Sequence, residues 1–187
     1  MKKITCFLLF LLIIGTTCTK AQSFEKGTKV MSLGIGLGSS LLNYSGSNQT
    51  PALSAQFEKG TWETRSGVIS LGGYVGYKAY KYADKSLGYS EKWTYTIVGV
   101  RSSYHYTGLN LDKLDLYGGV MLSYNILKYK YTDDYGYSGN YNTGSYGSGA
   151  GFTGFLGGRY SFSKNIAVTA ELGYGVSYLT LGLAFKF

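Results

Sequence analysis

The strictest constraint in this sequence is a period of two. In residues 178–187, Leu179, Leu181, Leu183, Phe185 and Phe187 fall on one face and Tyr178, Thr180, Gly182, Ala184 and Lys186 on the other. Side chains of a strand alternate between its two faces, so this run is a β-strand with one apolar side. The run before it repeats the pattern, with Ile166, Val168, Ala170, Leu172 and Tyr174 opposed to Asn165, Ala167, Thr169, Glu171 and Gly173. Only residues 175–177 separate the two, which predicts a tight antiparallel hairpin. In a soluble sandwich such a hairpin packs inward and stops in a loop, whereas here the apolar alternation runs to Phe187 itself.

Six earlier runs alternate in the same way. Met31, Leu33, Ile35 and Leu37 oppose Ser32, Gly34, Gly36 and Gly38; Leu53, Ala55 and Phe57 oppose Ser54, Gln56 and Glu58; Ile69, Leu71, Val75 and Tyr77 oppose Ser70, Gly72, Gly76 and Lys78. The fourth run sets Val98, Val100, Tyr104 and Tyr106 against Gly99, Arg101, Ser103 and His105. The fifth sets Leu114, Leu116, Val120 and Leu122 against Asp115, Tyr117 and Met121, and the sixth Phe152, Leu156 and Tyr160 against Thr153, Phe155 and Arg159. Eight strands result. The connections after strands one, three and five are long and polar, those after four and six are short, and residues 59–67 form a looser turn. The tiny connection after strand seven predicts a rim with one low side.

An even set of alternating strands with long connections on one side and short ones on the other predicts an all-β, eight-stranded antiparallel up-and-down transmembrane β-barrel. A soluble ligand-binding barrel shares the alternation but points its apolar face into a cavity. The interior of an eight-stranded barrel has little room for the bulky apolar set found here, so that set belongs outside. The 28 Gly and 20 Tyr, against a single Pro, fit small residues in a crowded lumen and aromatic girdles at two interfaces.

Residues 1–21 read as a secretory signal peptide: Lys2 and Lys3, an apolar core from 6 to 14, and Thr19-Lys20-Ala21 before the cleavage point. Residues 22–29 follow as a short periplasmic lead and 30–187 as the outer-membrane β-barrel domain. Cys6 and Cys18 both lie in the segment to be removed, which leaves no thiol chemistry, disulfide or cysteine metal site. Losing Lys2, Lys3 and Lys20 takes 18 basic residues to 15 against 10 acidic ones. The excess is scattered, without the basic run that binds nucleic acid.

Phe57-Glu58-Lys59-Gly60, the segment 70–77 reading SLGGYVGY, the segment 100–106 reading VRSSYHY, and Glu171-Leu172-Gly173-Tyr174-Gly175 carry a resemblance over residues 30–187. The chain resembles the small outer-membrane β-barrel family of OmpA-like and OmpX-like proteins, in the form common in Bacteroidetes. The ending Gly182-Leu183-x-Phe185-x-Phe187 resembles the C-terminal assembly signal of such barrels. The resemblance implies the outer membrane of a Gram-negative bacterium, insertion by the barrel-assembly machinery, and membrane lipids with lipopolysaccharide as neighbours. It leaves function open, because a fold does not carry function across such a family.

Candidate chemistry is sparse. His105 is the one histidine and shares the inward face with Ser103, so a hydrolytic or lipid-modifying barrel would use that pair as base and nucleophile. A lumen histidine held by hydrogen bonds is the plainer reading, because no acid occupies an adjacent inward step of its strand. Asp133-Asp134 lacks the spaced oxygen ligands of a calcium loop. Gly34-x-Gly36-x-Gly38 has no helix after it and reads as strand packing rather than a phosphate loop. No cofactor is expected.

Arg101, Arg159, Glu171, Glu58 and Asp115 all take the face opposite the apolar stripe. They predict a lumen ion network centred on Arg159 and Glu171, with Tyr74, Tyr117, Met121 and Phe155 filling the rest and leaving no continuous water path. Lys78, Lys81, Lys92, Lys128 and Lys130 flank the outer loops at the height of lipopolysaccharide phosphates. Tyr129, Tyr131, Tyr135, Tyr137, Tyr141 and Tyr146 form a Tyr/Gly/Asn/Ser surface of the kind that binding loops use, or continue strands five and six outward as an aromatic hairpin. These readings describe a non-enzymatic integral barrel with a structural role or surface contacts through its extracellular loops. The alternatives are the enzyme using Ser103 and His105 and a small pore.

If the terminal aromatic is an assembly signal, Phe187→Ala or its deletion lowers insertion more than it lowers the stability of barrels already folded. Heat-modifiability on gels of outer-membrane fractions measures this; insertion at normal levels refutes it.

Overall fold

The computed structural model describes residues 24–38, 48–84, 88–109, 111, 113–133, 138–141 and 148–187, and the segment read as a signal peptide lies outside them. Eight strands make the wall: β1 (Lys29–Leu37), β2 (Ala52–Thr64), β3 (Gly67–Asp84), β4 (Tyr89–Tyr106), β5 (Leu114–Asp133), β6 (Gly149–Ser161), β7 (Ile166–Gly173) and β8 (Leu179–Lys186). Each pairs antiparallel with the next. The sheet closes where β8 returns to β1, with Val30 opposite Lys186 and Leu37 opposite Leu179. The result is a closed up-and-down barrel of the outer-membrane type.

The seam depends on two facing glycines. Gly34 sits opposite Gly182, and a Cβ on Gly182 would run into the Leu33 carbonyl oxygen and the Gly34 Cα. A Cβ on Gly34 would meet the side chains of Thr180 and Ser54, so both positions are packed around glycine.

The alternation sorts the wall into two surfaces. Val100, Leu122, Phe152, Leu156 and Leu172 are each at least 60% exposed, part of an apolar belt that runs around the outside. On the inner face Tyr74, Tyr117, Met121 and Phe155 are buried with Ile97 and Ala52. Contiguous apolar surface on this scale marks contact with a membrane or a partner rather than with water.

Both ends are closed from inside. At the end that carries the termini, Phe24 turns into the barrel and packs with Val30, Val68, Ala167 and Ala184. Gly27, in the left-handed region at φ 90°, makes the turn that brings it there; its amide donates to the Gly60 carbonyl at 2.9 Å, and the Gly60 amide donates to Thr28 at the same distance. At the other end the connection between β7 and β8 folds inward and Val176 is fully buried. Its amide donates to the Tyr74 hydroxyl at 3.4 Å.

Three connections differ from the sequence reading. The loose turn at 59–67 is a two-residue turn at Arg65 and Ser66, because β2 continues to Thr64 through a bulge between Gly60 and Trp62. The long polar connection expected after the third run is mostly strand: β3 and β4 stay paired from Lys81–Lys92 to Asp84–Tyr89. In the long polar connection expected after the fifth run, β5 stays paired with β4 as far as Asp133, and Ser138–Tyr141 pairs back onto β5. Polar composition there masked a period of two, in which tyrosine and tryptophan take one face and lysine the other. β3, β4 and β5 therefore project beyond the rest of the wall as a blade, while the short β7–β8 connection leaves the opposite side low.

Leu122, at 61% exposure, lies near the middle of the belt. Leu122→Arg is expected to cost roughly 2–4 kcal/mol in a bilayer, the range for a lipid-facing arginine at the midplane. Denaturant titration of the barrel refolded into vesicles measures it; a cost near zero would mean that this face does not meet hydrocarbon.

Candidate functional site

Among the described residues, the lumen holds the largest concentration of polar chemistry. Period two places Glu58 of β2, Ser70 of β3, Arg101, Ser103 and His105 of β4, Asp115 and Tyr117 of β5, Arg159 of β6 and Glu171 of β7 on the inner face. The strand registers then divide them into two layers.

In the layer nearer the termini, Arg159 is the hub. It donates to Glu58 Oε1 and to Asp115 Oδ2 at 2.9 Å. Asp115 stands directly opposite Arg159 in the β5–β6 register, whereas Glu58 reaches it across the lumen. His105 lies between the same two acids, Nδ1 at 2.9 Å from Asp115 Oδ1 and Nε2 at 3.4 Å from Glu58 Oε2. Phe24 covers the imidazole face to face, with ring centroids 3.6 Å apart and planes 8° from parallel.

In the layer above, Arg101 grips Glu171 with both terminal nitrogens, at 2.7 and 3.2 Å, and also donates to Gln56. Such a fork-to-fork pair is the strong form of a charge-assisted hydrogen bond. The guanidinium carbon lies 3.8 Å from the centre of the Phe155 ring. Tyr117 links the layers: its hydroxyl donates to Glu171 Oε2 at 3.2 Å, and its ring lies 5.1 Å from the Arg159 guanidinium. A void of about 10 Å³ beside Arg101, Glu171, Tyr74 and Phe155 has room for about one water.

All five charges of the expected network are therefore in the lumen, but the expected central pair is not made. Arg159 and Glu171 sit on adjacent strands at steps two residues apart, since Arg159 faces Thr169 and Glu171 faces Gly157. Arg159 turns toward β5 and the termini, and Glu171 turns across the lumen to β4.

His105 does not pair with Ser103, whose hydroxyl makes no hydrogen bond among the described residues. Its serine neighbour is Ser70, with Oγ 3.0 Å from Nε2. Ser70, His105 and Asp115 thus occupy the order of a nucleophile, base and orienting acid. Ser70 also donates to the Glu58 carboxylate, at 3.1 Å from Oε2, so its hydroxyl is shared between the imidazole and an acid. Ser70 and His105 are almost completely buried, with Phe24 stacked over the imidazole ring. Among the described residues no cluster of histidine, cysteine and acidic side chains has a metal-binding arrangement.

Ser70, Gln56 and Phe24 were missed as partners in the sequence. The first two lie on inward steps already identified, but the third sits in a polar lead with no pattern to reveal it.

On the blade, Lys78 corrects the reading of an outer lysine. It lies on the inner face, buried, with its ammonium 4.9 Å from the centre of the Tyr80 ring; its even step in β3 makes it an inward neighbour of outward-facing Tyr77. Lys81, Lys92, Lys128 and Lys130 are exposed, on steps in phase with the apolar stripe. Tyr129 and Tyr131 take the inner face. Tyr129 packs on Trp93 at 5.5 Å and donates to Glu91 at 2.8 Å; Tyr131 stacks on Tyr89 at 6.0 Å. Tyr141 lies in the segment paired to β5, opposite Tyr129. Tyr135, Tyr137 and Tyr146 lie outside the described residues.

Of the terminal residues, Gly182 is in the seam, while Leu183, Phe185 and Phe187 are exposed. Phe187 lies 6.3 Å from Phe57, centroid to centroid.

No protein-family profile matches the chain, and no curated protein matches it. Solved structures do. The attachment invasion locus protein Ail of Yersinia pestis, in complex with the heparin analogue sucrose octasulfate, superposes with a TM-score of 0.55 at 12% identity, over 87% of this chain and 100% of that one. A second structure of Ail gives 0.50 at 12% identity, with the same coverage. The N-terminal β-barrel domain of Pseudomonas aeruginosa OprF gives 0.47 at 14% identity, over 87% of this chain and 98% of that one. At such identities the likeness to Ail establishes the fold and nothing finer.

Removing the hub should be more damaging than removing the whole layer. Arg159→Met leaves Glu58 and Asp115 buried without their cation and is expected to cost roughly 3–5 kcal/mol, the range for breaking a buried pair. Arg159→Met combined with Glu58→Gln and Asp115→Asn should recover most of that. Urea unfolding in one detergent compares the two; equal losses would mean that the charges are not energetically coupled.

Proposed function

We propose that this chain is an integral outer-membrane barrel that acts by surface contact through the blade of β3, β4 and β5, without catalysis or conduction. Its termini lie in the periplasm and the blade stands outside the cell. The observation that carries the reading is the contrast between the two ends of one wall. A belt of outward apolar side chains ends, and three strands continue beyond it with inner-face Trp93, Tyr129, Tyr131 and Tyr89 packed on one another. Ordering strands beyond the membrane costs conformational entropy that a bare spanning wall would not incur, and packed aromatic rings offset it. The product is a rigid projecting surface. Ail, with the same fold, has been solved with a heparin analogue bound, so a barrel of this build supports a ligand-binding surface.

The lumen supports the same reading. Phe24 at one end, Val176 at the other and two ion-paired layers between them fill the lumen among the described residues, which supports a barrel that does not conduct. Membrane lipids, with lipopolysaccharide in the outer leaflet, surround the belt in this reading, and the barrel-assembly machinery inserts it.

Protease added to intact cells is expected to cut only in the outer connections, between β1 and β2, between β3 and β4 and between β5 and β6. Purified protein should give no stepwise conductance in planar bilayers, and Ser70→Ala and His105→Ala should leave the lipid profile of the outer membrane unchanged. Stepwise conductance would establish a pore instead, and altered acylation or phosphorylation of lipids would establish an enzyme.

A further inference from the structure

Two depressions on the outside of the wall meet at Tyr77. The first is an apolar groove of about 590 Å³ running over β8, β1, β2 and β3. Its floor has a visible cause in the register. One cross-strand row reads Leu183, Leu33, Ala55, Val75, and Ala55 is the single small side chain among large neighbours. Phe185 walls it on the side of the termini, and Leu53 and Tyr77 stand on the side of the blade.

The second depression, a cleft of about 380 Å³, begins at Tyr77 and ends at Lys81, Lys92 and Lys130. Those three lysines form another cross-strand row, because Lys81 faces Lys92 and Lys92 faces Lys130. Like charges directly opposite each other in a sheet are destabilising. Among the described residues none of the three has an ion-pair partner. The next row outward puts Ser90 beside Thr132, and both line the same cleft. Three ammonium groups with hydroxyls beside them, unneutralised by the fold, make a site for phosphate oxygens; lysine binds them as a point charge.

Position joins the two. Lys81 lies four residues beyond Tyr77, about 13 Å at roughly 3.3 Å per residue, so the charged row stands where head groups begin above the belt. We propose that groove and cleft form one seat for a phosphorylated lipid of the outer leaflet, with its phosphate across Lys81, Lys92 and Lys130 and an acyl chain lying over Ala55. The seat rests on the reading that the belt lies in a membrane with the blade outside. Charge complementarity at one end and a continuous apolar floor at the other select an amphiphile over a soluble polyanion, which would use only the lysines.

The test uses the full chain in phosphatidylcholine nanodiscs with lipid A as the probe, and sucrose octasulfate as a soluble polyanion in a parallel titration. Lipid A is expected to stay bound through purification and to register in native mass spectrometry. Each Lys→Ala change should weaken it roughly fivefold, and K81A/K92A/K130A on the order of a hundredfold, as follows from about 1 kcal/mol per lysine near a membrane surface. Ala55→Trp fills the groove and should weaken lipid A while leaving sucrose octasulfate unchanged. Equal retention of lipid A by the wild type and the triple variant overturns the seat. Lysine-dependent binding that Ala55→Trp does not affect overturns it in favour of a soluble polyanion site. A chain that never enters the nanodisc overturns the membrane reading, and the seat with it, so the two failures are distinguishable.

Discussion

Pairing between β1 and β8, from Val30 opposite Lys186 to Leu37 opposite Leu179, turns a sheet into a tube. A sheet with an apolar exterior cannot leave an edge open, because hydrocarbon offers its amides and carbonyls no partner. Closure therefore comes first, and the alternation acquires its meaning from it. Once the wall is a tube, odd and even positions are separate surfaces, and one set of side chains must be as acceptable to an apolar surround as the other is to a packed lumen. Gly182 shows a local requirement of the seam, since a Cβ there would meet the Leu33 carbonyl oxygen of the facing strand.

The lumen charges are best understood as directing the fold rather than strengthening it. A buried ion pair roughly breaks even against well-packed apolar side chains of the same volume, because desolvation offsets attraction. What the charges do forbid is the wrong register. A one-residue slip would send Arg101 or Arg159 outward, at roughly 2–4 kcal/mol for an arginine near the midplane of a bilayer. Arg159, held between acids of β2 and β5, and Arg101, held to β7, tie together strands that are not all neighbours in the wall. Their constraint therefore acts on the closed cross-section as a whole.

That distinction explains how much the sequence disclosed. Which face a residue takes depends only on parity, so Glu58, Arg101, Asp115, Arg159 and Glu171 could be placed in the lumen from the sequence alone. Which of them touch depends on the offset between strands, which parity does not contain. Arg159 was thus expected to meet Glu171 and instead meets Asp115, its direct register partner, and Glu58. Ser70 joined the cluster for the same reason. Phe24 was invisible because a single aromatic in a polar lead has no periodicity to interpret, although its stacking on His105 is among the tightest contacts in the barrel. The blade was hidden by composition: Lys81, Tyr82, Lys130 and Tyr131 alternate as strictly as any wall strand, but no greasy side announces it.

The same alternation gives the blade two unlike faces. Inside, Trp93 on Tyr129 and Tyr89 on Tyr131 replace the aliphatic core that three projecting strands lack. Outside, the lysine row adds repulsion across every pair of neighbours, and among the described residues no ion pair compensates it. Within a sheet, one face can be spared for such a row only if the other already holds the strands together. The aromatic packing is therefore the precondition for the lysines, and the low β7–β8 side, with its connection folded inward onto Tyr74, carries no such lysine row. An anion drawn to the lysines would approach from the lipid side of the wall, where the apolar groove over Ala55 leads up to them.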